Sequence, residues 1–192
     1  MSEAFVFMAA LQAIFDRMGV PCCLGGSWAS TLDGTPRQTL DVDFIVELDE
    51  TRIAPLAAAL LEAGWYVSES AMREAVHERR AFNIIATDLG LKADCFVRGD
   101  SAFDREEFSR RAKRRISESP ALTLPVKSAE DSVLRKLLWF RETNETSERQ
   151  WRDVVGVLSL RAGALDDSYL NRWAAELGLQ SLLARARAET LR

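Results

Sequence analysis

Apolar residues recur at helical spacing through the opening segment, with Phe5, Met8, Leu11, Phe15 and Met18 on one stripe and Gly19 as a stop. The pattern predicts an amphipathic helix over 4–18. It then changes period. Val20-Pro21-Cys22-Cys23-Leu24 is a short unbroken apolar run, the mark of a buried strand with its proline at the start. Gly25-Gly26-Ser27 ends that strand, and a short helix is expected over 27–32. After a loop containing Asp33-Gly34-Thr35-Pro36, residues 41–47 alternate and continue as a strand. A helix over 51–63 follows, with Asp49 as N-cap and Gly64 as stop, on condition that Pro55 lies in its first turn. A short strand near 65–67 and a helix over 70–79 come next. Strands over 81–87 and 91–97 are joined by Asp88-Leu89-Gly90, which suits a hairpin, so the second is expected to run antiparallel to the first.

Beyond Pro120 and Pro125 the pattern becomes helical, over 129–142, 148–161, 167–177 and 181–191. Ser128 with Asp131 approximates a capping box at the first of these helices, and 142–149 reads as a helix-to-helix loop. There are no internal repeats and no low-complexity segments. The organisation expected is an α+β domain over 1–125 followed by a helical bundle over 126–192.

Composition changes this picture little. A chain of 192 residues, 47% hydrophobic, can bury a sizeable core, and a formal net charge of −4 does not mark a dedicated nucleic-acid binder. The charge is unevenly spread. Between Arg105 and Arg115 six basic residues face two glutamates, a local +4 that leaves −8 for the remainder. Such a run can contact nucleic-acid phosphates, but is more often a solvated helix face. No segment approaches the roughly 18 apolar residues of a membrane span and no basic segment precedes the opening apolar stretch, so a cytoplasmic protein without membrane contact is expected. Cys22, Cys23 and Cys95 lie in apolar surroundings and read as buried free thiols. His77, the single histidine, sits in a charged segment and is assigned no chemistry. Trp139, Trp151 and Trp173 share helical spacing with leucines and valines, which makes them bundle core before base-stacking platforms.

The candidate chemistry lies between two strands. Asp41 and Asp43 are alternate residues on one strand, so they face one side together while Val42 turns inward. Asp94, in Leu91-Lys92-Ala93-Asp94-Cys95-Phe96-Val97, adds a carboxylate from a later strand. Carboxylate oxygens suit Mg²⁺, which prefers octahedral oxygen ligands shared between a few acids and substrate phosphates. Asp94 could also accept the proton of an attacking hydroxyl. Gly25 and Gly26 lack a Cβ and allow backbone N–H groups to approach phosphate, with Ser27 at the helix start as a further donor. A diglycine turn or an Asp-x-Asp pair alone is common. Their combination in this order, with a third acid on a later strand, is far more specific.

These residues resemble the DNA polymerase β-type nucleotidyltransferase superfamily over roughly 20–97. The resemblance implies a mixed β-sheet flanked by helices, with Mg²⁺ held by Asp41, Asp43 and Asp94 and an NTP as substrate. Arg37-Gln38-Thr39-Leu40-Asp41-Val42-Asp43 further resembles the Arg-x-Thr/Ser-x-Asp-x-Asp form of the abortive-infection, toxin-like branch, which places Arg37 and Thr39 with Gly25, Gly26 and Ser27 in nucleotide binding. In that branch a lysine and an aspartate on the two helices after the catalytic domain help build the site. The matching residues are Lys136 and Asp153. Lys136 would meet the triphosphate and Asp153 would orient it, the competing reading being a surface salt bridge between two helices. Trp151-Arg152-Asp153 departs from that branch's usual Lys/Arg-Asp run by its bulky aromatic.

The function implied is Mg²⁺-dependent transfer of an NMP from an NTP to a hydroxyl-bearing acceptor: an RNA 3′ end, a protein or a small molecule. The toxin-like branch adds an antitoxin among candidate partners, and a second copy of the chain, as a homodimer, is a further candidate. The alternative is a catalytically silent nucleotide-binding or partner-binding module of the same fold.

Overall fold

The alternation along 41–46 buries Val42, Phe44 and Val46 and leaves Asp41 exposed and Asp43 half-buried, as one-sided burial of a strand requires. The computed structural model describes residues 2–35 and 41–190. In chain order its elements are α1 (Ser2–Arg17), β1 (Cys22–Leu24), α2 (Gly26–Asp33), β2 (Asp41–Val46), α3 (Glu50–Glu62), β3 (Tyr66–Val67), α4 (Glu69–Glu78), β4 (Ala81–Ala86) and β5 (Leu91–Val97). They continue as α5 (Ala102–Ser109), β6 (Ala112–Glu118), β7 (Ala121–Val126), α6 (Ala129–Glu142), α7 (Glu148–Leu160), α8 (Asp167–Glu176) and α9 (Gln180–Glu189). Two compact units result, Met1–Gly25 with Thr39–Val126, and Gly26–Gln38 with Lys127–Arg192.

The first unit holds one mixed sheet in the order β3-β4-β5-β2-β1-β7-β6. β4 and β5 form the expected antiparallel pair, β5 runs parallel to β2, and β2 is antiparallel to β1. The face carrying Phe82, Ile84, Val42, Phe44, Ala93 and Cys95 is buried. Phe15 of α1 meets Phe44 edge-on, with ring centroids 5.6 Å apart, and Phe7 meets Trp65 at 4.9 Å. Local chemistry fixes the helix starts. Asp49 accepts from the backbone N–H of Thr51 and Arg52, and Ser68 and Ser101 cap α4 and α5.

Three expectations are corrected. Pro55 lies in the second turn of α3, where it removes an amide donor; it is exposed there, so the freed carbonyl can meet water. The basic run is not a helix face: α5 ends at Ser109 and Lys113, Arg114 and Arg115 belong to strand β6. Residues 112–126, for which the sequence predicts no strand, form the antiparallel β6–β7 pair, and β7 joins β1 in parallel through Leu24 and Val126.

The second unit packs α2 with α6 to α9. Its core includes Ala29, Val133, Leu134, Leu137, Val154, Val157, Leu170 and Leu183. Ser128 caps α6 as expected, its hydroxyl donating to Asp131 at 2.6 Å, and the fully buried Asp131 also accepts from the Tyr169 hydroxyl at 2.5 Å. That carboxylate ties α6 to α8 with charge-assisted bonds. Trp173 is core, as expected. Trp139 and Trp151 are only half-buried, and Trp151 stacks at a tilt on Phe140, centroids 5.0 Å apart. No helix among the described residues is long and apolar enough to cross a membrane.

Candidate functional site

In the parallel β2–β5 pair, Asp41 stands opposite Lys92 and Asp43 opposite Asp94. Neighbouring strands lie about 4.8 Å apart, and residues in register share a face. The register therefore brings all three predicted carboxylates to the less buried face of the sheet, with Asp43 and Asp94 as direct neighbours. Asp94 Oδ1 accepts from Lys92 Nζ at 3.0 Å and from the side-chain amide of Asn83, which faces it from β4. The Asp94 hydrogen bond, and then its charge with those of Asp41 and Asp43, raises the Lys92 pKa, holding the ammonium charged.

Gly25 sits at the head of this strand pair. Its N–H donates to the Asp43 carbonyl at 2.8 Å, and a Cβ added to it would lie 2.5 Å from Ile45 Cδ1. Gly26 has φ +53°, a left-handed conformation costing an L-residue about 1–2 kcal/mol. The two glycines thus meet separate demands, a close approach to Ile45 at Gly25 and a left-handed backbone at Gly26.

In the second unit Gly26 and the buried Ser27 open α2. Lys136 and Asp153 find one another, Nζ to Oδ2 at 2.7 Å, with side chains only 3% and 8% exposed. The pair is therefore buried and not on the surface. Gln150 Oε1 accepts from the same ammonium at 3.1 Å, and Ser30, one turn beyond Ser27 on α2, lies 3.5 Å from Asp153. Arg37 and Thr39 lie outside the described residues.

The donor set fits a hard divalent cation: three carboxylates on one half-exposed face, two of them in register. Among the described residues no three carboxylate, imidazole or thiolate groups are gathered closely enough to grip an ion as they stand. Asp94 is turned to Lys92 and Asn83 instead. Lys92 and Asn83 were missed in the sequence, although Lys92, two residues before Asp94 on a strand, carries a legible signal: alternate residues share a face. Cys22, Cys23 and Cys95 are buried free thiols, as expected, and burial raises the Cys22 pKa to about 12.

No family model matches the chain, and no curated protein matches its sequence. Solved structures share its fold. The antibiotic-resistance factor ANT(2″)-Ia superposes in its solution structure with a TM-score of 0.57 at 14% identity over 96% of each chain, and has also been solved in complex with adenylyl-2″-tobramycin. An antigenic nucleotidyltransferase-like protein from Paracoccidioides brasiliensis gives 0.57 at 17% identity, over 98% of this chain and 93% of that one. The lincosamide antibiotic adenylyltransferase LnuA, lincomycin-bound, gives 0.52 at 15% identity over 83% and 97%. The chain has the expected α+β architecture, a nucleotidyltransferase-like mixed sheet with helices and a C-terminal helical set.

Proposed function

We propose that this protein transfers an NMP from an NTP to a hydroxyl of a small-molecule acceptor, with Asp41, Asp43 and Asp94 as divalent-metal ligands. The observation that carries the reading is the in-register pairing of Asp43 with Asp94, with Asp41 two residues away on the same face. The choice of a small acceptor is supported by the fold shared with ANT(2″)-Ia and LnuA along most of the chain. The toxin-like role and its antitoxin rest on the Arg37–Asp43 pattern and on the Lys136 and Asp153 matches, and the proposal does not extend to them. The basic run, split between α5 and β6 and next to no predicted site residue in sequence, does not argue for RNA.

Mg²⁺ bound to these carboxylates would offset charge on the phosphate oxygens. The chain's own residues supply the remainder. Gly25 and Gly26 hold the turn that opens α2, and Ser27 at that helix start is proposed to bind phosphate. In the reaction the acceptor oxygen forms a bond to the α-phosphorus, the α–β bridging P–O bond breaks, and pyrophosphate departs with the electron pair. Asp94, beside Asp43 in register, would take the hydroxyl proton. For Lys136 the buried pair with Asp153 favours support of α2 through Ser30 over direct service to the triphosphate.

Incubation with each labelled NTP, Mg²⁺ and a panel of hydroxylated antibiotics should give a labelled product. Asp43→Asn should cut transfer by at least about 100-fold, the scale of losing one polar catalytic group. Nucleotide binding without transfer in the wild type would refute the reading and favour the silent module, which the Lys92–Asp94 ion pair also suits.

A further inference from the structure

The acid face carries a cation of its own. Lys92 stands opposite Asp41 in register, two residues from Asp94, and its ammonium lies 3.0 Å from Asp94 Oδ1. Its side chain is 42% exposed, against 21% for Asp94, so one end of the pair is open to water. Asn83 binds the same oxygen from the next strand and can keep holding it if the lysine leaves.

We infer that Lys92 sets the affinity of this face for divalent cations: it is the resident counter-ion of Asp94, and a divalent ion gains that carboxylate in competition with it. The inference rests on the reading of Asp41, Asp43 and Asp94 as metal ligands. The physical ground is that three carboxylates on one face repel one another, and an ammonium beside them both relieves that repulsion and repels an incoming dication. It also accounts for the side-chain arrangement, in which Asp94 is drawn to β4 and to its own strand neighbour instead of towards Asp43. Lysine suits this role because its charge rides on a flexible four-carbon stem and can withdraw without backbone movement. Lys92 is on this view a positioning residue that tunes metal occupancy, and it takes no part in bond making.

The test is direct titration with Mn²⁺ alone, free ion being followed by its electron paramagnetic resonance signal and folding by circular dichroism. Lys92→Met should bind Mn²⁺ more tightly by about tenfold, the effect of removing a unit charge a few ångströms from a dication in a half-exposed site. Lys92→Arg, which keeps the charge, should show no tightening. Equal or weaker binding by Lys92→Met, or equal tightening by Lys92→Arg, overturns the inference. If the wild type binds Mn²⁺, Asp43→Asn abolishes it and Lys92→Met changes nothing, the inference alone falls. If neither wild type nor Lys92→Met takes up Mn²⁺ at millimolar concentration, the metal reading falls with it.

Discussion

Replacing Lys136 by methionine should destabilise the α2–α6–α7 packing by about 3–5 kcal/mol, the range for removing one partner of a buried ion pair. The structure supplies the reasoning. At 2.7 Å the attraction between Lys136 and Asp153 is about 6 kcal/mol at an effective dielectric of 20. Burial to 3% and 8% exposure costs several kcal/mol per ion, so the intact pair roughly breaks even. Methionine keeps the length and apolar stem of the lysine but removes the ammonium that stands 2.7 Å from the buried Asp153 carboxylate. Urea denaturation followed by tryptophan fluorescence reports on this region, because Trp28, Trp139, Trp151 and Trp173 lie on α2, α6, α7 and α8. Lys136→Met/Asp153→Asn should recover more than half the loss, since the buried carboxylate charge goes with the ammonium. A cost below about 1 kcal/mol for Lys136→Met, or no recovery in the double variant, would refute the account of the pair as buried and mutually dependent.

Two further outcomes follow from the geometry. Gly25→Ala places its Cβ 2.5 Å from Ile45 Cδ1, the free end of a half-buried side chain that can turn aside, so it should cost only about 0.5–1.5 kcal/mol, and Ile45→Val, which removes that atom, should relieve it in a double-mutant cycle; strict additivity would sink this explanation. Stability should also fall in alkali. The Cys22 thiol is raised from 9.0 to about 12 in the folded chain by burial, so its contribution is complete below pH 9 and is lost as the pH rises towards 12, by up to about 1.4 kcal/mol per pH unit. Urea midpoints between pH 8 and pH 10 should decline less steeply in Cys22→Ala than in the wild type, and equal slopes would contradict the assignment.

The parts of the fold most legible in the sequence are those whose burial is one-sided. Val42, Phe44 and Val46 announce β2, and the Ser128 cap marks the start of α6 at Ala129. The β6–β7 pair was not legible because it lies at a sheet edge. There Lys113, Arg114 and Arg115 replace the apolar alternation that would reveal a strand, and charged edge strands of this kind discourage pairing with other chains. Pro125 reads as a breaker, yet it sits within β7, opposite Lys113 of the edge strand β6. Asp41 and Asp43 were legible as a pair on one face, but the place of Asp94 beside them depends on a parallel register that pairs residues 51 apart in sequence, which no local pattern encodes. Lys136 and Asp153 were legible as a pair and not as a buried one, because their burial comes from the face of α2 laid against α6 and α7.

The grouping of Gly26–Gln38 with the C-terminal helices has a practical consequence for dissecting the protein. A gene fragment ending at Val126 would still encode α2 while omitting every helix that covers Ala29 and Ser30. Such a truncated polypeptide would present a raw apolar flank immediately after the diglycine, and aggregation, more than loss of any one chemical group, would be its defect.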